Sequence, residues 1–343
     1  MAESLFATPI VLFVFNRPEV TRRNIEALRA LRPAKLFVVA DGPRSTRPGE
    51  EELCATVREL ITSEPWEGEL VTRFAERNLG LEANIELGLD WVFSQVDRAI
   101  VVEDDCIAHP SFFPYCEELL ERYADEPRVW QIGGDTHLVP EKLFDGYSYG
   151  FSTWASVWGW ATWADRWHKH RAVFPRDHAG AEERVGQVPR TVDAWRTEPA
   201  LPHPDSLVTE AAMKHFTQVA QERDGDARGW DHHWWVTIMS ERGLSAMPAL
   251  NLVENDGYGA DATHTISAKD PYPAVGLEFP LSHPPVELNR AVEAELELVL
   301  LRTDGRLSRF ARKLIRPLWM RAIVRTIITH PLVWRVVRRF AAR

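Results

Sequence analysis

The chain has 343 residues, 45% of them hydrophobic and 26% charged, an ordinary globular composition that excludes a disordered, collagen-like or polytopic membrane protein. Its formal charge of −10 hides a split: Arg302–Arg343 holds 12 Lys/Arg against one acid, and the other 301 residues hold 28 against 49. A body of net −21 with a tail of net +11 argues against nucleic-acid binding by the body and suggests a partner for the tail alone.

Cys54, Cys106 and Cys116 form no CxxC and leave one thiol over. That disfavours a disulfide scaffold or structural zinc and favours a reducing, cytoplasmic compartment. The N-terminus lacks a basic stretch, and its apolar run Ile10–Phe15 is too short for a secretory signal or a membrane span. The same run, from Pro9, suits a strand covered on both faces. Asn16-Arg17-Pro18 breaks it, and Pro18 opens a helix with Ile25, Leu28 and Leu31 at helical spacing. A strand at Lys35–Ala40 ends in Asp41-Gly42-Pro43. A helix over about 50–61 leads to a strand at Leu70–Phe74. Arg77-Asn78-Leu79-Gly80 then precedes a helix reaching about Val96. The strand Ala99–Val102 runs directly into Glu103-Asp104-Asp105.

Strands alternating with helices at this spacing imply βαβ units and a mainly parallel sheet, that is, an α/β fold. Ligands of such sheets bind beyond the carboxyl ends of the strands, where Asn16-Arg17, Asp41-Gly42 and the acidic triplet sit. No GxGxxG follows the first strand and no GxxxxGK[ST] occurs, so there is no dinucleotide or P-loop fingerprint. Three adjacent carboxylates repel one another unless water solvates them or a cation sits among them. The triplet therefore reads either as a solvated loop or as a hard-oxygen site for Mg²⁺ or Mn²⁺ holding phosphates. The apolar strand before it and the helix opening at Pro110-Ser111-Phe112-Phe113 favour a packed setting.

Val101-Val-Glu-Asp-Asp-Cys-Ile-Ala-His-Pro-Ser-Phe-Phe113 resembles the metal motif of GT-A fold glycosyltransferases. It is most similar to bacterial family-2-type enzymes and the N-acetylglucosaminyltransferase I group. Pro9–Pro18 resembles their first nucleotide-binding strand and loop, which places Asn16 and Arg17 at the donor. Val38–Gly42 resembles the second strand, whose aspartate (here Asp41) contacts uracil. Asn78-Leu79-Gly80 with Asn84 resembles the N-x-G…N segment before the metal motif. The likeness runs to about Thr265 and leaves the chain after about Pro285 uncovered. It implies a GT-A domain over 1–285 and a nucleotide-sugar donor across the strand ends. Asp105 would ligate Mn²⁺ or Mg²⁺, Asp104 would contact ribose or donor sugar, and Glu103 would support the loop.

Phe151–Trp163 is the densest aromatic stretch, and any one tryptophan in it reads as core or as a wall for an acceptor sugar. Trp158-Gly159-Trp160-Ala161-Thr162-Trp163 resembles a block of the bacterial subset near the acceptor loop, which puts Trp158, Gly159 and Trp160 on the acceptor side. Residues 172–228 are polar and proline-punctuated, an insertion over the mouth of the site. Gly229–Val236 resumes helical spacing, with Asp231 near a helix N-terminus as a cap or as something more. The family pattern places the catalytic acid of inverting enzymes there, although Trp230 stands where a glutamate is usual. His232 and His233 point about 100° apart and do not chelate as a pair, so they read as structural or rim residues. The turn-rich run 255–265 contains His264, which the resemblance makes a metal or diphosphate contact.

The segment 286–343 reads as a basic amphipathic tail. Its part 302–343 suits peripheral contact with anionic lipid at the cytoplasmic membrane face, or docking on the acidic body or a second subunit. The leading expectation is an inverting, metal-dependent glycosyltransferase using a nucleotide diphosphate sugar, UDP-linked, and a glycan or lipid-linked acceptor in cell-envelope polysaccharide synthesis. The alternatives are a sugar-nucleotide nucleotidyltransferase, whose glycine-rich basic signature is missing here, and a non-catalytic nucleotide-sugar-binding scaffold.

Overall fold

Strand β1 (Ile10–Val14) is buried along its whole length and fixes the layering. Ile10, Leu12 and Val14 enter one apolar cluster, while Val11 and Phe13 enter another, as the two-residue period of a strand requires. The first cluster holds Ile25 and Leu28 of α1 (Pro18–Leu31), Val57 and Ile61 of α2 (Glu50–Thr62), and Phe112 and Leu119 of α4 (Phe112–Arg122). The second holds Ile85 and Leu89 of α3 (Leu81–Phe93), Trp167 of α5 (Ala164–Val173), and Trp230 and Trp234 of α6 (Trp230–Ser240). Helices thus cover both faces of the sheet.

A computed structural model of the chain describes residues 4–137, 139–173, 229–256 and 273–302. All but the first two residues of the expected insertion, His264, and the tail from residue 303 lie outside the described residues. The remaining strands are β2 (Lys35–Ala40), β3 (Glu69–Phe74), β4 (Arg98–Glu103), β5 (Cys106–Ala108), β6 (Val129–Gly133), β7 (Tyr149–Ser152), β8 (Trp160–Trp163), β9 (Leu244–Pro248) and β10 (Val253–Asn255). Eight strands form one sheet in the order β3-β2-β1-β4-β8-β6-β9-β7, and β5 pairs with β10 apart from it. Strands β1 to β4 are mutually parallel, and so are β6 and β9; β8 and β7 run antiparallel to their neighbours. This is the expected α/β class with a mainly parallel sheet between helices, and its topology is compatible with a GT-A-like architecture. Strands β9 and β10, only four residues apart, belong to two different sheets.

Helix α7 (Arg290–Arg302) starts against the sheet. Its Glu293 is buried at the end of β7, where it accepts from Ser152 Oγ at 2.6 Å and Thr153 N at 3.0 Å. The chain divides into two compact units, Met1–Leu296 and Glu297–Arg343, and among the described residues the first carries every element but the end of α7. All three cysteines are buried and unpaired. Among the described residues no helix is long and apolar enough to cross a membrane.

Candidate active site

The carboxyl ends of β1, β2, β3, β4 and β6 share one edge of the sheet, and the start of β8 lies there too because it runs the other way. Glu103 closes β4. Asp104 and Asp105 form the turn that hands the chain to β5, and β5 is pinned to β10 with Cys106 opposite Asn255. The turn is held from three directions. Phe15 N donates to Asp104 Oδ2 at 3.4 Å, Asn24 Nδ2 to the Asp104 carbonyl at 2.8 Å, and Asp256 N to the Asp105 carbonyl at 2.7 Å. Asp104 is only 3% exposed. The triplet is a packed corner between two sheets, and the solvated-loop reading is set aside.

The cation facing it is Arg17. Its Nη2 lies 2.6 Å from Asp104 Oδ1 and its Nη1 lies 3.1 Å from Asp105 Oδ2. Burial pushes the Asp104 carboxyl up to about 7, with Arg17 drawing it down and Asp105 pushing it up. Burial also raises Glu103 well above the usual carboxylate range, and the charges of Asp105, Asp104 and Asp231 add to the rise while Arg17 opposes it. Four carboxylates therefore lie in one another's field, and among the described residues Arg17 is the guanidinium paired with two of them. Among the described residues no three ligating side chains converge on a point. Asp105 and Asp104 together offer two hard-oxygen carboxylates already gripping a cation. That donor set suits Mg²⁺ or Mn²⁺, which take one or two protein carboxylates and complete their shell with phosphate oxygens and water.

Asp41 follows β2 and is a fastening point. Its carboxylate accepts from Leu79 N at 2.7 Å, Gly42 N at 2.8 Å, Asn78 Nδ2 at 2.9 Å and Gly80 N at 3.1 Å. Burial raises its pKa while the backbone donors pull the other way. Gly80 reaches this carboxylate from φ +84, in the left-handed region that glycine enters without strain. Asn84, in the first turn of α3, is buried with no hydrogen-bond partner for its Oδ1 among the described residues. Asn16 donates from Nδ2 to Glu50 Oε1 at 2.9 Å, and Glu50 also takes Arg44 N at 2.7 Å.

Asp231 sits inside the first turn of α6. Gly229 is the N-cap and no side chain caps the helix, so the capping role is corrected. Its Oδ1 instead lies 3.1 Å from His232 Nδ1. Burial alone would raise the Asp231 carboxyl, but the hydrogen bond and charge of His232 with the amides of the helix start hold it below its ordinary value. It is therefore ionised near neutrality and able to take a proton.

The three residues expected on the acceptor side separate. Trp160 is fully buried in β8, between Val101 and Gly133 on the flanking strands and 5.7 Å from the Trp230 ring. Gly159 is buried at φ +64 with Val253 and Phe112 where a Cβ would stand. Only Trp158 keeps an accessible face, with its ring 6.1 Å from His137. Gly159→Ala is expected to destabilise the fold by roughly 2–4 kcal/mol, combining a left-handed alanine with overpacking against a Val253 methyl 2.7 Å away. Chemical denaturation measures it, and an unchanged midpoint would contradict the packing described.

Several residues of the site carry no chemical signal in the sequence. Asn24 on α1 and Glu50 on α2 hold the triplet and Asn16, but each reads there as one more polar helix residue. His232 gains meaning only beside Asp231. Asp135 Oδ2 lies 3.2 Å from His137 Nδ1 just beyond β6, and His137 has φ +44.

The sequence matches no protein-family profile and no curated protein. Among solved structures it is similar to one described as a glucose-1-phosphate thymidylyltransferase of Bacillus anthracis in complex with a sucrose, at 10% identity over 52% of this chain and 79% of that one, TM-score 0.33. It is similar to apo mouse xyloside xylosyltransferase 1 at 11% identity over 67% of this chain and 81% of that one, TM-score 0.28. It is similar as well to the apo bifunctional glycosyltransferase WbbM at 12% identity over 50% of this chain and 29% of that one, TM-score 0.24. Such identities and TM-scores carry no assignment of activity.

Proposed function

We propose that the protein is an inverting, metal-dependent glycosyltransferase that moves a sugar from a nucleotide diphosphate donor, UDP-linked, to a hydroxyl of a glycan or lipid-linked acceptor. The observation that supports this is the meeting at one sheet edge of a rigid acidic turn, its arginine, and a separate carboxylate on α6 whose charge reaches Glu103. Asp105, with Asp104 beside it, would hold Mn²⁺ or Mg²⁺, which supplies Lewis-acid stabilisation of a departing diphosphate.

The remaining chemistry belongs to the chain. Asp41 fixes the Asn78–Gly80 loop as a rigid floor beside the nucleotide, so that little ordering remains for binding to bring about. Asn16, fixed by Glu50, borders the same end of β1. Trp158 offers an indole face to an acceptor sugar. The acceptor oxygen bonds to the anomeric carbon as Asp231 takes its proton. The anomeric carbon–oxygen bond to the diphosphate breaks, and the nucleoside diphosphate leaves with that electron pair.

The test is a thermal-shift screen of the whole protein with Mn²⁺ and UDP-, GDP- or dTDP-sugars, since a ligand at 100 times its Kd stabilises by about 2.7 kcal/mol. One donor class is expected to stabilise only with metal present. Asp105→Ala should remove that stabilisation and the transfer activity together. Full activity in EDTA, or an undiminished shift in Asp105→Ala, would overturn the reading.

A further inference from the structure

The two ion pairs of Arg17 place a guanidinium where a metal-binding carboxylate pair would place its ion. Each terminal nitrogen takes a different carboxylate, at 2.6 Å on Asp104 and 3.1 Å on Asp105. The Arg17 backbone is fixed, because its carbonyl accepts Thr21 N at 3.1 Å and Thr21 Oγ1 at 2.8 Å. The side chain is not locked in the same way; it is 26% exposed at the rim. A cation bound at Asp105 Oδ2 would repel a guanidinium hydrogen-bonded to that same oxygen. A diphosphate, by contrast, presents pairs of anionic oxygens that the planar arginine fork can take two at a time.

We infer that Arg17 is a stand-in cation: it holds Asp104 and Asp105 in the ligand-free protein and gives up Asp105 only when a nucleotide's diphosphate draws the guanidinium away. The inference rests on the transferase reading for the identity of the incoming ligand. It adds an order of events that the reading itself does not contain. Metal and Arg17 exclude one another at Asp105, and nucleotide relieves the exclusion. Metal binding is thereby coupled to nucleotide binding through this side chain, and the coupling must be reciprocal.

The experiment measures Mn²⁺ binding by electron paramagnetic resonance on the full chain, with and without UDP, for wild type, Arg17→Gln and Arg17→Lys. Arg17→Gln is expected to bind Mn²⁺ alone about 5–150-fold more tightly than wild type, the span of ordinary site-to-site coupling, and to lose most of the gain that UDP gives wild type. Arg17→Lys reaches one carboxylate at a time and should fall between them; it carries the test if Arg17→Gln does not fold. Equal or weaker Mn²⁺ binding without nucleotide in the folded variants would overturn the inference, even with wild type binding Mn²⁺ in the presence of UDP. Absence of Mn²⁺ binding with UDP in every protein would instead remove the transferase reading on which the inference rests.

Discussion

Asp231→Asn is expected to lower kcat by about 10²–10⁴-fold, the usual contribution of a positioned general base, with little change in donor KM. The substitution keeps the side chain's shape and its place in the first turn of α6, while removing the charge that accepts the proton. Donor affinity should persist because the groups placed at the nucleotide, Asp41, Asn78 and Arg17, lie on other elements. The carboxyl sits below its ordinary pKa, so the base form is present across neutral pH and is lost only on acidification. Single-turnover rates against pH check both points. Unchanged turnover would remove Asp231 from the mechanism.

The largest stability effect is expected at Trp234. Its ring is fully buried, with Trp160 at 5.6 Å, Trp167 at 5.8 Å, Trp130 at 5.9 Å and His170 edge-on at 5.2 Å. Its Nε1 donates to Gln131 Oε1, itself buried. Trp234→Ala should cost about 3–5 kcal/mol from the lost contacts and the cavity, and leaving Gln131 Oε1 without its donor, while Nε2 keeps the Ser156 carbonyl, adds about 1–3 kcal/mol. Trp234→Phe should recover most of the packing term and none of the hydrogen bond. Chemical denaturation of the two variants separates the terms; a loss below about 1 kcal/mol in Trp234→Ala would contradict the cluster as described. The same ring braces the helix that carries Asp231, so activity should fall with stability in the alanine variant.

The first four strands and three helices are legible in the sequence because each signal is local. Pro18 marks the start of α1, and the run Lys35–Ala40 coincides with β2 residue for residue. The second half is less legible. Strand β8 is Trp160–Trp163, whose aromatic density favours core for any one tryptophan but leaves a ligand wall open, and its place between β4 and β6 shows Trp160 buried. The acidic triplet is visible as chemistry, but its rigidity comes from Asn24 and Asp256, 80 and 151 positions away along the chain. Asp41 shows the same limit from the other side. The sequence marks it as polar at a strand end, while its four hydrogen bonds depend on how α3 approaches β2. Contacts between distant segments leave no pattern in either segment alone.

The two-sided burial of β1 constrains how this protein can change. Losing one residue between Ile10 and Val14 would exchange the side chains presented to the two faces of the sheet. It would also draw Arg17 back by about 3.3 Å, the rise of one strand residue, which exceeds the whole 2.6 Å separation from Asp104. Length variation among descendants of this chain is therefore barred from that strand and confined to segments that do not set the distance between the arginine and its carboxylates.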